Sequence, residues 1–183
     1  PFPGGGFLHI GASLCGGQAY ALLEGFFRQV CERLGGQAGA PLFERMNQLA
    51  REPGGEAPLE VDTRFQGTRT DARVTGRIEG ITLTNFTPAA LVRGFLGGIA
   101  GELHEYFRRF PDPDRFTAVV GSGNAVRRNP ALRDEISRRF GLPVLVPRRS
   151  EEAALGAALC AAVGLEALPG YDRAGSMIEY QTD

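Results

Sequence analysis

Residues 116–164, FTAVVGSGNAVRRNPALRDEISRRFGLPVLVPRRSEEAALGAALCAAVG, decide the fold. They read as a strand, a Gly-Ser-Gly loop, a helix, a second short strand and a helix rich in Ala and Gly. Phe116–Val120 is an apolar run without alternation, the pattern of a strand covered on both faces. Asn129-Pro130 predicts the start of a helix, with Asn129 as N-cap and Leu132, Ile136 and Phe140 facing inward. Gly141 stops that helix, and Pro143–Val146 reads as the next strand. Ser150 is the expected cap of the last helix, whose opening Glu151 and Glu152 suit the positive end of its dipole. Strands alternating with helices predict an α/β layer structure with parallel pairings and right-handed crossovers.

Upstream, Phe7–Ser13 (FLHIGAS) reads as a buried strand that has no partner before it, so further sequence on the N-terminal side is expected. Cys15-Gly16-Gly17 turns into a helix over Gln18–Leu34, with Leu22, Phe26, Val30 and Leu34 on one side. A second helix follows Pro41. The breaker-rich loop Glu52–Pro58 precedes short strands at Leu59–Thr63 and Val74–Ile81. Thr87 caps a long helix reaching about Phe110, with Leu91, Phe95, Ile99, Leu103 and Phe107 as its stripe. Residues 1–165 read as one domain and 166–183 as a peripheral tail.

Composition narrows the chemistry. The chain has 183 residues, 43% of them hydrophobic and 22% charged, which is ordinary for a globular domain. A net charge of −1 gives no footprint for nucleic acid. No apolar run is long enough to span a membrane. Three widely spaced cysteines, Cys15, Cys31 and Cys160, argue for reduced thiols and a cytoplasmic location. Every one of the 20 basic residues is arginine. That excludes a P-loop lysine, a protein-kinase strand lysine and Schiff-base chemistry within this chain. His9 and His104 are the only histidines, and no Cys/His spacing marks a metal site.

The candidate binding groups are therefore backbone turns. Gly121-Ser122-Gly123 lets main-chain N–H groups approach an anion or a flat base, though glycine there also serves a tight turn. Asn129 can cap a helix, face a bound base, or divide its amide between the two. Gly16-Gly17 makes a second bare turn that would oppose the first across one cleft. The run Ala153–Ala162 is expected to pack closely beneath that cleft. Arg127 and Arg128 could pair with phosphates, but as adjacent loop arginines they read as solvated. A dinucleotide-binding unit is weakened because Val126 replaces a third glycine and because the helix is expected only at Asn129, eight positions after Gly121.

At VVGSGNAVRRNP, LPVLVP and SEEAALGAALCAA the chain resembles the C-terminal domain of FGGY-family carbohydrate kinases, members of the actin/hexokinase-like (ribonuclease H-like) ATPases. IGASLCGGQAYALLEGFF and TRFQGTRTDARVTGRIEGITLTNFTPAALVRGFLGGIAGEL are similar to the family's upstream segments. The long loop GSGNAVRRN is most similar to that of sedoheptulokinases. The resemblance implies ATP-dependent phosphorylation of a ketose hydroxyl, with Mg²⁺ on the phosphates and an aspartate accepting the hydroxyl proton. It places nucleotide contacts at Gly121, Ser122 and Gly123, the adenine-side asparagine at Asn129, and the opposite wall at Gly11, Cys15 and Gly16.

Cys15 departs from the usual polar amide, and Thr68 from the usual glutamate of a Gly-Glu-Arg turn. The resemblance puts the aspartate base, the first phosphate loop and the sugar-reading N-terminal domain outside this sequence. No catalytic residue and no metal ligand is assigned within it, and the fragment alone is expected to be inactive. A homodimer is left open. The alternatives are a self-standing nucleotide-binding or interaction module without kinase activity and an NADP-binding Rossmann domain.

Overall fold

The computed structural model describes residues 8–54 and 58–181. Seven α-helices, two short strand pairs and one 3₁₀ turn (Pro113–Arg115) are formed among them. The centre is α3 (Pro88–Phe107), which packs against α1 (Gly16–Arg33), α2 (Phe43–Arg51), α5 (Pro130–Phe140) and β1 (Glu60–Asp62). Its start follows from sequence: the Thr87 hydroxyl accepts from the Ala90 amide at 3.2 Å, and Pro88 fills the first turn, where no amide partner is needed. Leu91, Val92, Phe95, Leu96 and Ile99 then enter the core beside Leu23, Met46, Leu132 and Ile136.

Glycine lets β1 lie directly on α3. A Cβ at Gly98 would stand 2.2 Å from the Val61 carbonyl oxygen, and one at Gly94 would stand 2.7 Å from Val61 Cγ2. β1 pairs antiparallel with β2 (Arg77–Glu79), and β3 (Val119–Val120) pairs parallel with β4 (Val144–Leu145). The expected strands at 59–63, 74–81, 116–120 and 143–146 all contain a real one. Each is cut to two or three residues, and one of the two pairings is antiparallel.

Several expectations are corrected. Phe7 lies outside the described residues, and residues 8–13 form no ladder. Leu8 and Ile10 stand 62% and 74% exposed, because no described strand lies alongside them. The stripe Leu22, Phe26, Val30 and Leu34 of α1 faces outward, while Ala19, Tyr20 and Leu23 are buried. α1 is apolar on two faces, and α3 takes the one whose Ala19 permits close approach. Val120 is half exposed, so β3 is not covered on both sides. α6 (Glu152–Gly164) buries no residue, and its Gly156 has open space around it, so the Ala/Gly run does not press against a neighbouring backbone.

One cap and one loop also differ from expectation. Ser150 does not cap α6. Glu151 occupies that position in the left-handed region, with φ of 64°. A five-residue helix, α4 (Asn124–Arg128), fills what reads as loop. Part of the predicted loop 52–58 (residues 55–57) and the last two residues of the tail lie outside the described residues. Within 166–181 the chain forms α7 (Tyr171–Gly175) and an antiparallel bridge between Pro147 and Tyr180.

Candidate functional site

The two glycine-containing bends meet. A Cβ built on Gly17, at the start of α1, would lie 3.7 Å from the Ala125 side chain in α4. α4 begins immediately after Gly123, whose φ of 84° lies where glycine is favoured and whose missing side chain leaves open space. Gly16, with φ of 26°, likewise faces open space. Ser122, Gly123, Asn124 and Gly17 are exposed, and Gly16 is partly so. Together they line a notch between the first turns of α1 and α4.

The Gly16 bend is held from below. Ser13 Oγ accepts from the Cys15 and Gly16 amides at 3.2 and 3.0 Å and donates to the buried Glu102 carboxylate at 2.8 Å. Tyr106 adds a longer hydroxyl contact to the same carboxylate. Glu102 and Tyr106 belong to α3, so the core helix fixes the start of α1.

The remaining predicted residues serve the scaffold. A Cβ at Gly11 would collide with Tyr106 at 2.2 Å, so this glycine is explained by packing. A Cβ at Gly121 would meet Val126 at 2.5 Å, and Gly121 itself is buried. Cys15 is buried, and that burial pushes its thiol pKa up, opposed by the Phe65 backbone and reinforced by Glu102. It is a neutral filler. Thr68 closes its own turn: its amide donates to the Asp71 carbonyl at 2.9 Å, and its hydroxyl accepts from the Asp71 amide at 3.0 Å.

Asn129 caps α5. Its Oδ1 accepts from the Leu132 amide at 3.0 Å, and the residue is 6% exposed. The free half of its amide meets Tyr20, whose hydroxyl donates to Asn47 Oδ1 at 3.0 Å. Asn47 in turn reaches the Arg128 carbonyl. Burial pushes the Tyr20 phenol up to about 12, with the Asn129 contact opposing. Asn129 therefore joins α1, α2 and the α4–α5 corner.

Sequence reasoning missed Tyr20, Asn47 and Arg127. Arg127 is not solvated: it donates to the Pro147 and Arg149 carbonyls and pairs with Glu152. A hydroxyl or guanidinium at one position carries no signal of a partner 20 or more residues away.

A separate concavity of about 770 Å³ lies between β1, the glycine face of α3 and α5. Several of its charges pair with one another, Asp62 with Arg64 and Arg77, and Glu135 with Arg138 and Arg139. The notch between α1 and α4 is the stronger candidate, because exposed glycine turns from two distant segments meet there. Among the described residues no group of three or more His, Cys, Asp or Glu could hold a metal ion.

Residues 4–165 match the FGGY family of carbohydrate kinases, C-terminal domain. The chain belongs to that family. No curated protein matches this FGGY domain in sequence. Among solved structures, a xylulose kinase from Rhodospirillum rubrum is similar at 22% identity and a TM-score of 0.73, over 91% of this chain and 32% of that one. Xylulose kinase from Lactobacillus acidophilus follows at 17% and 0.70, covering 88% of this chain and 32% of its own. Plasmodium falciparum glycerol kinase with ADP is similar at 19% and 0.61, over 73% of this chain and 27% of that kinase.

The FGGY domain thus spans about a third of the length of the xylulose kinases it matches. At these identities the likeness speaks to fold alone, the mixed α/β fold of the C-terminal part of such enzymes. The match also bears on the dinucleotide alternative. One objection to it falls, since a helix does start directly after Gly123. That helix ends at Asn129 after five residues, and the family match decides against the Rossmann reading. No described helix is long and apolar enough to cross a membrane.

Proposed function

We propose that this FGGY domain supplies one wall of the ATP site of a sugar kinase, the whole enzyme transferring the terminal phosphoryl group to a ketose hydroxyl. The observation that carries the reading is the contact between the Gly17 bend and the α4 turn. It brings two exposed glycine-containing turns, more than 100 residues apart in sequence, to one notch. Such backbone suits phosphate and ribose, and an arginine-only chain needs no lysine for it.

Gly16, Gly17, Ser122 and Gly123 are the residues proposed to line the nucleotide. Gly11, Cys15, Gly121 and Asn129 support them from beneath. Magnesium would arrive with the nucleotide, held chiefly by its phosphates. A sedoheptulose-like ketose is the proposed substrate, supported by the long GSGNAVRRN loop. The base that accepts the hydroxyl proton is assigned to no residue here, and the chain alone is proposed to bind nucleotide without turnover. A cytoplasmic location agrees with three free cysteines.

Calorimetric titration of the 183-residue chain with MgADP tests this. Saturable binding weaker than ~10 μM, as suits one wall of a site, is expected. Binding much tighter than that favours a self-standing nucleotide module. Preference for NADPH over ADP, or no binding at millimolar ADP, overturns the assignment.

A further inference from the structure

We propose that Arg127 is a positioning residue: with Glu152 it hangs α4 on the β4–α6 connection and so fixes the Gly121–Gly123 turn against the start of α1. The proposal deepens the nucleotide reading above and rests on it for its binding arm. Five residues are too few for a helix to persist by its own hydrogen bonds. α4 is instead tied to the segments on two sides of it.

Toward β4, Arg127 Nη1 donates to the Pro147 carbonyl at 2.7 Å. Its Nη2 donates to the Arg149 carbonyl at 2.8 Å and pairs with Glu152. Toward α5, Arg133 Nη1 donates to the carbonyls of Val126 at 3.1 Å and Arg127 at 3.0 Å. The Arg127 side chain is 17% exposed, so three protein acceptors stand where water would otherwise be. The Glu152 carboxyl is held below its ordinary range first by its own backbone amide, then by Arg127 and, least, by the nearby Gly123 amide, which puts the pair beside the turn. Arg128, one residue on, is exposed.

A rival role is direct contact between Arg127 and nucleotide phosphate. The two roles differ in the sign expected at Glu152. If Arg127 acts as a charge on phosphate, removing the neighbouring carboxylate strengthens binding. If the pair positions the turn, removing either partner weakens it. The geometry favours positioning, since both Nη atoms already serve protein acceptors.

The test compares MgADP affinity and amide hydrogen exchange in Arg127→Ala, Glu152→Ala, their double variant and Arg128→Ala. Expected in both single variants are roughly tenfold weaker ADP binding and roughly tenfold faster exchange over residues 121–128, as loss of one charge-assisted contact gives. The double variant should be no worse than either, and Arg128→Ala should change neither readout. Unchanged exchange in Arg127→Ala overturns the proposal. So does stronger ADP binding in Glu152→Ala, or equal loss of protection in α3, which would make the pair part of general stability. If the parent chain binds no ADP, the nucleotide reading fails, and exchange over 121–128 still decides the positioning role.

Discussion

Gly17 and Ala125 face one another across the notch, with room at Gly17 for a methyl group and little more: a Cβ there stands 3.7 Å from the Ala125 Cβ. Gly17→Ala should therefore fold normally and bind ADP much as the parent does. Gly17→Leu places branched carbons where α4 sits and should push the two walls apart. The expected result is at least about a tenfold loss of ADP affinity with a shift in Tm of only a few degrees, since Gly17 is exposed. Calorimetric titration beside thermal unfolding checks it. Full ADP binding by Gly17→Leu would show that the nucleotide does not use this notch.

The glycines of α3 separate by face. Gly98 touches β1 backbone, and Gly98→Ala would drive a methyl to 2.2 Å from the Val61 carbonyl oxygen. Overpacking against backbone should cost about 1–3 kcal/mol. Gly97 meets only the ends of Arg139 and Glu135, at 3.4 and 3.5 Å. Those tips can move, so Gly97→Ala should stabilise by about 0.5–1 kcal/mol through helix propensity. Urea unfolding of the two variants should therefore move in opposite directions. A loss in both would mean that α3 is packed as tightly toward α5 as toward β1.

What the sequence disclosed follows how local each signal is. Thr87-Pro88 and Asn129-Pro130 specify helix starts within four residues, and both form as read. The inward stripe of α5 is also legible, because that helix has one apolar face; α3 is buried on several sides, so Leu91, Phe95 and Ile99 are only part of what it buries. α1 has two apolar faces, and which one meets α3 depends on a helix 70 residues away. NAVRR has neither a periodic stripe nor a side-chain cap, so α4 leaves no mark in the sequence; contacts of its own Arg127 with distant carbonyls, and of Arg133 with the carbonyls of α4, hold it.

At the site the sequence marks glycines without saying why each is there. Gly121 and Gly123 share a letter, yet one is required by Val126 and the other by its own φ. Gly11 and Cys15, placed on the wall by resemblance, face inward to Tyr106 and the core.

Asn129 carries a prediction that follows from its double use. Asn129→Ala removes the cap of α5 and leaves the Leu132 amide without its acceptor in a buried corner. A cost of about 1–2 kcal/mol is expected. Asn129→Ser keeps an acceptor for that amide and gives up only the contact with Tyr20, so most of the loss should be recovered. Equal destabilisation by both variants, measured by denaturant unfolding, would place the weight on the Tyr20 side instead.

Tyr20 makes stability depend on alkaline pH. Burial holds its phenol at about 12, whereas in the unfolded chain it ionises near 10. Below pH 10 the phenol is protonated in both states and its buried hydrogen bond to Asn47 is intact. Between pH 10 and 12 the unfolded chain releases the proton first, so unfolding gains free energy as pH rises. The slope contributed by this group approaches one proton, about 1.4 kcal/mol per pH unit. Tyr106, also raised by burial and by Glu102, acts in the same sense from a less buried position. Tyr20→Phe should leave stability at pH 8 lower by about 1 kcal/mol, for the lost hydrogen bond, and flatten most of the decline above pH 10. Urea unfolding at pH 8, 10 and 11 measures both quantities. If parent and variant decline in parallel above pH 10, the Tyr20 phenol is not the group whose proton the folded chain retains.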